Sequence, residues 1–371
     1  MALSLHTEIC DMLGIEYPIF SFNHCRDVTA AVCNGGGIGV LGVHGLNRYG
    51  IRAEVEWLRK HSDKPFGLDV LLPQANPETG TYENLMDSIP PENIEYMGKL
   101  RKELGLPEGY LPRLDRTDIV GLGIGGTLAS QMEQVDAICE MKPAIFAGGL
   151  GMNVEVVEKC HKAGIKVVSL VGNVRQARRV AEYGVDIIVA QGTEAGGHIG
   201  RIGTMPLVPL VVDAVKPTPV LAAGGIGDGR GLVAALALGA AGVWTGTMWL
   251  VAHENPVEDF IKDRLIAAVE EDAVVTKAHT GKPARSLKSK FIEYWEQPGA
   301  PSTLPAPYQN IYLPVPWSVS SENADRTWER LGLQDWIGTP AGQVMGLIEQ
   351  RKSARQILYD MVSQAINILE D

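Results

Sequence analysis

The chain has 371 residues, 45 % of them hydrophobic, which suits one large α/β barrel with additions or two modest domains. Its net charge of −11 and the lack of a long basic run argue against nucleic acid or an anionic membrane as a partner, so an anion site must come from backbone amides or a few local cations. Five cysteines (Cys10, Cys25, Cys33, Cys139 and Cys160) at irregular spacings, with no CxxC, fit a reducing cytoplasm better than a disulfide framework or a zinc site.

The N-terminal stretch MALSLHTEICDMLG lacks the apolar core of a secretion signal. Short β-branched apolar runs then alternate with helical patterns. Strands are expected at 18–22, 38–42, 66–72, 144–147, 167–171, 186–190, 219–223 and 242–245, and helices at 52–61, 131–141, 153–163, 174–183 and 229–238. Strands apolar on both faces and joined by helices predict a parallel (β/α)8 TIM barrel over 1–255. Residues 73–116, polar and proline-bearing, read as an insertion after the third strand, either a lid or a contact between copies in a homo-oligomer. Residues 231–253 carry no Asp, Glu, Lys or Arg, a length that spans a bilayer. The Thr245-Gly246-Thr247 punctuation favours a buried helix followed by a buried strand instead. Residues 256–371 form an aromatic-rich extension, ending in one helix expected over 341–369, that packs on the barrel and covers its active face.

Glycines follow many strands: Gly42, Gly148-Gly149, Gly192, Gly224-Gly225 and Gly246. In this fold the strand C-termini form the active face. Gln191-Gly-Thr-Glu-Ala-Gly-Gly-His198-Ile-Gly200 is the most informative stretch: a buried strand opens into a loop where a flat ligand can lie on bare backbone beside one imidazole. A tight turn that happens to carry a histidine is the plainer reading. Gly224-Gly225-Ile226-Gly227-Asp228-Gly229-Arg230 opens a helix and offers amides to an anion, and Gly246-Thr247 follows the next strand. Loops after strands seven and eight of such barrels cradle phosphate. The GxGxxG match at Gly121–Gly126 lacks a preceding buried strand and a following acidic residue, so a flexible loop is the better reading. Asn23-His24-Cys25-Arg26 follows the first strand. Adjacent Cys and His point apart on an extended chain, leaving ligand contacts, with Arg26 for an anionic group, or a structural role. The other histidines, at 44, 61, 161, 253 and 279, show no metal-ligand spacing, and no metal is expected. Asp213 and Asp228 read as helix caps.

Together these residues resemble the nitronate monooxygenase (2-nitropropane dioxygenase-like) family of FMN-dependent TIM-barrel enzymes. The resemblance rests on Leu13-Gly-Ile-Glu-Tyr-Pro18, Cys33-Asn-Gly-Gly-Gly-Ile-Gly39, Pro65-Phe-Gly67, Leu71-Leu-Pro73, Ala190-Gln-Gly-Thr-Glu-Ala-Gly-Gly-His198, Pro219-Val-Leu-Ala-Ala-Gly-Gly-Ile226, Gly246-Thr247 and Ala341-Gly-Gln-Val-Met-Gly346. It implies FMN as cofactor and His198 as catalytic base. It places Gln191, Gly192, Gly197, Asp69 and Asn23 near the flavin and gives its phosphate to Gly224, Gly225, Gly246 and Thr247; from their position after the first strand, His24 and Arg26 are expected as substrate contacts. The chain departs from the family pattern at Ser21-Phe-Asn-His-Cys-Arg-Asp27, which replaces a longer Gln-Ala-Pro-Met segment, and at Asp69, where many members carry Asn. The His-Cys-Arg-Asp variant is similar to a branch acting on CoA thioesters in steroid-ring degradation. The expected activity is flavin-dependent oxidation of a small molecule, with a nitronate or a CoA thioester as substrate. A non-redox barrel enzyme on a phosphorylated substrate is the competing class, weakened because no lysine stands at a predicted strand end.

Overall fold

The computed structural model describes residues 4–73, 75, 76, 78, 85–108, 110, 127–321 and 326–370. Strands β1 (Ile19–Asn23), β2 (Ile38–Gly42), β3 (Gly67–Leu71), β4 (Ile145–Gly149), β5 (Lys166–Val171) and β6 (Ile187–Gln191) run in order around a barrel. After a two-residue strand β7 (Gly197–His198), β8 (Val220–Ala223) and β9 (Gly242–Thr245) close it, and all eight barrel strands are parallel. Each strand expected from the sequence is present.

The side chains explain why. Alternate residues of each strand enter two different cores. Phe20, Ile38, Val40, Val168, Val189 and Trp244 point inward and pack together. Ile19, Leu41, Leu68, Phe146, Val167 and Ile188 point outward and meet the helices. A strand buried on both faces cannot alternate polar and apolar, so the near-continuous hydrophobic run is its mark.

Helices Arg26–Asn34, Arg48–His61, Leu128–Met141, Val154–Lys162, Val174–Glu182, Thr204–Val215 and Gly229–Ala237 follow successive strands. The sequence reading missed the first and sixth of these. Their β-branched residues, and Pro206 and Pro209 in the sixth, oppose helix locally, and burial of Val28, Val32, Leu207 and Val211 outweighs that preference. Asp228 does cap a helix, its side chain accepting from the Gly231 amide at 3.1 Å. Asp213 does not; it lies within helix Thr204–Val215 and pairs with Lys216 at 2.8 Å.

After β9 the chain leaves the barrel and returns as helix Ala354–Glu370. This helix packs against Arg26–Asn34 and Gly229–Ala237, burying Leu358, Met361 and Ala365 in the barrel's outer core. It supplies the eighth helix of the ring, so the chain beyond 255 is partly barrel. The single helix expected over 341–369 is therefore too long: residues 343–347 form a 3-10 turn instead. Gly342 explains the break. Its amide donates to the Thr247 hydroxyl at 2.9 Å, and a Cβ there would lie 2.6 Å from the Glu194 carbonyl oxygen.

A second core lies over the barrel. It joins residues 85–106, with helix Pro91–Glu103, to residues 251–348, with β10 (Ala273–Thr276), β11 (Ala284–Leu287) and helix Lys290–Trp295. Asn93 donates to the Tyr312 hydroxyl at 3.0 Å, and the Tyr96 hydroxyl to the Tyr294 carbonyl at 2.7 Å. The described part of the insertion is thus built into this cap. β10, β11 and β7 form a three-stranded antiparallel sheet that ties the cap to the loop after β6. The GxGxxG segment at 121–126 lies outside the described residues. Among the described residues no helix is long and apolar enough to cross a membrane, and 231–253 is a helix end, β9 and a 3-10 turn, as expected.

Candidate active site

The loop after β6 exists in its present form because its glycines allow close approaches. A Cβ at Gly192 would lie 1.9 Å from the Thr204 hydroxyl, and one at Gly224, whose φ is +93°, would lie 2.9 Å from the Gly192 carbonyl. The loops after β6 and β8 are therefore in direct contact. Gly196 abuts Ala341 of the returning tail, where a Cβ would meet backbone at 2.7 Å. The chain then enters β7, where Gly197 pairs with Arg285 and His198 with Ala284.

His198 is held from both ends. Gln191 donates to its carbonyl at 2.9 Å, and its Nε2 lies 3.0 Å from the Thr280 hydroxyl. That hydroxyl lies 3.2 Å from the Lys282 carbonyl, and when it donates there it accepts from Nε2–H. With the proton on Nε2, Nδ1 is left as the acceptor, and no hydrogen bond to it is found among the described residues. Burial, and then the Lys282 ammonium, push the imidazole down to about 4, so the ring is neutral at ordinary pH. The Trp317 ring meets it edge-on at 6.1 Å.

Two more imidazoles stand close by. His24, one residue past β1, donates from Nδ1 to the Gly42 carbonyl at 3.1 Å. Its ring lies so near that a Cβ at position 42 would be 2.3 Å away. The ring of His44 meets it at right angles at 4.7 Å, with its own Nδ1 buried and unpartnered. Burial, with the neighbouring His24 and His198, pushes His44 down to about 3. The His24 side chain is exposed, and the protein packed around its ring lowers its basicity too. The three imidazoles do not form a metal-binding set.

Asp69 points into the barrel from β3, opposite Gly42 and Ala147. It is 2 % exposed, and burial holds its carboxyl well above the usual carboxylate range. Across the barrel mouth, the amides of Gly225, Gly246 and Thr247 have no acceptor among the described residues. The Thr247 hydroxyl accepts from Gly342 and keeps its own proton free to donate.

Three of the expected groups have partners within the chain. The N-terminus of helix Gly229–Ala237 is already capped, with the Gly229 amide on Gln364 at 2.7 Å and the Gly231 amide on Asp228, so the anion-ready amides sit in the loops before it. Asn23 lies on the outward face of β1 with Ile19; its Oδ1 accepts from the Cys25 amide at 2.9 Å and the Thr29 hydroxyl at 3.1 Å, which fixes the start of the next helix. Arg26 lies 4.8 Å over the Trp57 ring and 3.7 Å from Glu54, both on helix Arg48–His61. Sequence reasoning missed Thr280, Lys282 and Trp317, which no local pattern marks. His44 had a usable signal, its position just after β2, where only metal spacing was considered.

A nitronate monooxygenase family model matches residues 7–364. The chain belongs to the nitronate monooxygenase family. It is an FMN-dependent oxidoreductase. A Mycobacterium tuberculosis protein assigned as a monooxygenase is 38 % identical over 369 residues, 98 % of this chain and 97 % of that protein. A Staphylococcus aureus protein assigned as a nitronate monooxygenase is 32 % identical over 304 residues, 78 % of this chain and 80 % of the other. Among solved structures, FabK from Thermotoga maritima superposes with a TM-score of 0.70 at 25 % identity, covering 99 % of this chain and 98 % of its own. Nitroalkane oxidase from Streptomyces ansochromogenes shares the fold, with a TM-score of 0.74 at 24 % identity and 97 % and 98 % coverage.

Proposed function

We propose that this family member removes a C–H proton from a nitroalkane-type carbon acid with His198, while FMN lies across the barrel mouth. The unpartnered amides of Gly225, Gly246 and Thr247, with the Thr247 hydroxyl, fit a phosphate, and Gly224 gives the turn its room. Gln191, Gly192, Gly197 and Asp69 line the space left for the ring system. Bound FMN supplies the two-electron acceptor that the side chains lack.

The observation that carries this reading is the state of His198. A general base needs a free, neutral nitrogen held in place, and with the proton on Nε2, donated to Thr280, Nδ1 is that nitrogen. A base pushed down to about 4 is weak. It can deprotonate only an unusually acidic C–H, which a nitro group provides. The Lys282 ammonium, which disfavours the imidazolium, favours the anion left on the substrate. His24, with Nδ1 tied to Gly42, offers Nε2 to the same space.

His198→Asn tests the assignment. Turnover of a nitroalkane should fall by roughly 10²–10⁴ with flavin still bound. Activity within a few-fold of the unmodified enzyme would remove His198 from the chemistry.

A further inference from the structure

On the far side of the helix layer, two thiols meet. Cys139 lies near the end of helix Leu128–Met141 and Cys160 near the end of helix Val154–Lys162, and these neighbouring helices bring the two sulfurs to 3.9 Å. Cys160 is fully buried, while Cys139 is half-buried beside an open surface groove that it lines with Arg48, Met132, Asp136 and Glu140. The other three cysteines are sealed, at 1 % exposure for Cys10, 4 % for Cys25 and 1 % for Cys33. We propose that Cys139 and Cys160 form a reversible disulfide in response to hydrogen peroxide, with Cys139 attacked first and Cys160 resolving it.

The asymmetry of the pair sets the order. The two sulfurs share a hydrogen bond in which either thiol can donate; it lowers Cys139 and, followed by burial, raises Cys160. Asp136 and Lys159, paired at 2.7 Å, both flank Cys139 and act on it in opposite directions, Asp136 the more strongly. The more acidic thiol is thus also the accessible one, the combination that makes a cysteine reactive. The Cys139 thiolate attacks one peroxide oxygen, the O–O bond breaks, and water leaves after protonation, giving a sulfenic acid. The Cys160 sulfur then displaces that hydroxyl as a second water and the S–S bond forms. Two thiols are oxidised and one peroxide is reduced to two waters. The sulfurs need close by only about 2 Å to reach bonding distance. The step uses no group of the barrel mouth, so it stands or falls independently of the flavin reading.

The test is peroxide titration of the flavin-loaded protein, read by thiol counting and peptide mass mapping. The expected result is loss of two of the five thiols, a single 139–160 link, and recovery of both thiols with dithiothreitol. Cys139→Ser should keep all its remaining thiols under the same treatment. Cys160→Ser should stop at the sulfenic acid, trapped at Cys139 by dimedone. Both variants sit on outer helices away from the active face, and melting curves confirm that each is folded. Oxidation of a different cysteine first, survival of all five thiols, or an unlabelled Cys139 in Cys160→Ser would overturn the proposal.

Discussion

His198 is a site where neighbours, not the residue type, decide the chemistry. Its ring loses basicity first to burial and then to Lys282, a residue 84 positions later in the chain. The base works only when neutral, so kcat/KM should fall as the pH drops through about 4. Lys282→Met keeps the apolar stem and removes the charge. The inflection should then move up toward the ordinary histidine value, and a pH–rate profile with a nitroalkane reads it directly; an unmoved profile means the ammonium does not reach the ring. The phosphate cradle can be probed without backbone strain at Gly246, whose φ is −129° and where the nearest atom to a new Cβ is 3.8 Å away. Gly246→Asp sets a carboxylate against a phosphate, and FMN affinity should fall roughly 100-fold or more, while Gly246→Ala should bind normally. Equal FMN affinity in the two variants would move the phosphate elsewhere. At this scale the sequence shows the members of the site that sit in strand-end loops, because position after a strand is a local property. Thr280, Lys282 and Trp317 reach His198 only through the pairing of β7 with β11, and no local pattern encodes that pairing.

The strands were legible for a related reason: each carries its own two-sided burial in its own residues. The last helix was not. Its apolar period continues from Ala341, but the pull of Thr247 and Glu194 on Gly342 and Gln343 unwinds the first part, and those contacts come from distant segments. What remains, Ala354–Glu370, closes the ring between the first helix and the one before β9. Leu358 is its central anchor. It is fully buried and reaches the turn before β2 so closely that a Cβ at Gly35 would meet its side chain at 2.6 Å. Leu358→Ala should cost about 2–5 kcal/mol, measured by denaturant unfolding. A cost below about 1 kcal/mol, the range of tolerated surface changes, would show that the barrel does not depend on this helix.

Barrel and cap meet around buried neutral histidines, and that ties the stability of the whole molecule to pH. His279 is the clearest case. It is 3 % exposed, stacked on Trp317 at 5.3 Å and beside Phe291 at 4.8 Å, with neither ring nitrogen hydrogen-bonded. Burial pushes it from 6.5 down to about 3. The folded state therefore stays unprotonated where the unfolded chain, titrating near 6.5, takes up a proton. Stability from this group is fully present above 6.5 and is lost as the pH falls from 6.5 toward 3. At pH 5 the loss is roughly 2 kcal/mol for His279 alone, and His44 and His198 are displaced in the same direction. Asp69 works against them, since its raised carboxyl takes up a proton in the folded state first. Comparing the wild type with His279→Phe separates the two. Phenylalanine keeps the aromatic stack and forfeits no hydrogen bond, so whatever it does to stability at pH 7, the drop between pH 7 and pH 5 should shrink by about 2 kcal/mol. Parallel stability curves for the two proteins would mean that water or a shifted ring already satisfies His279 in the folded state.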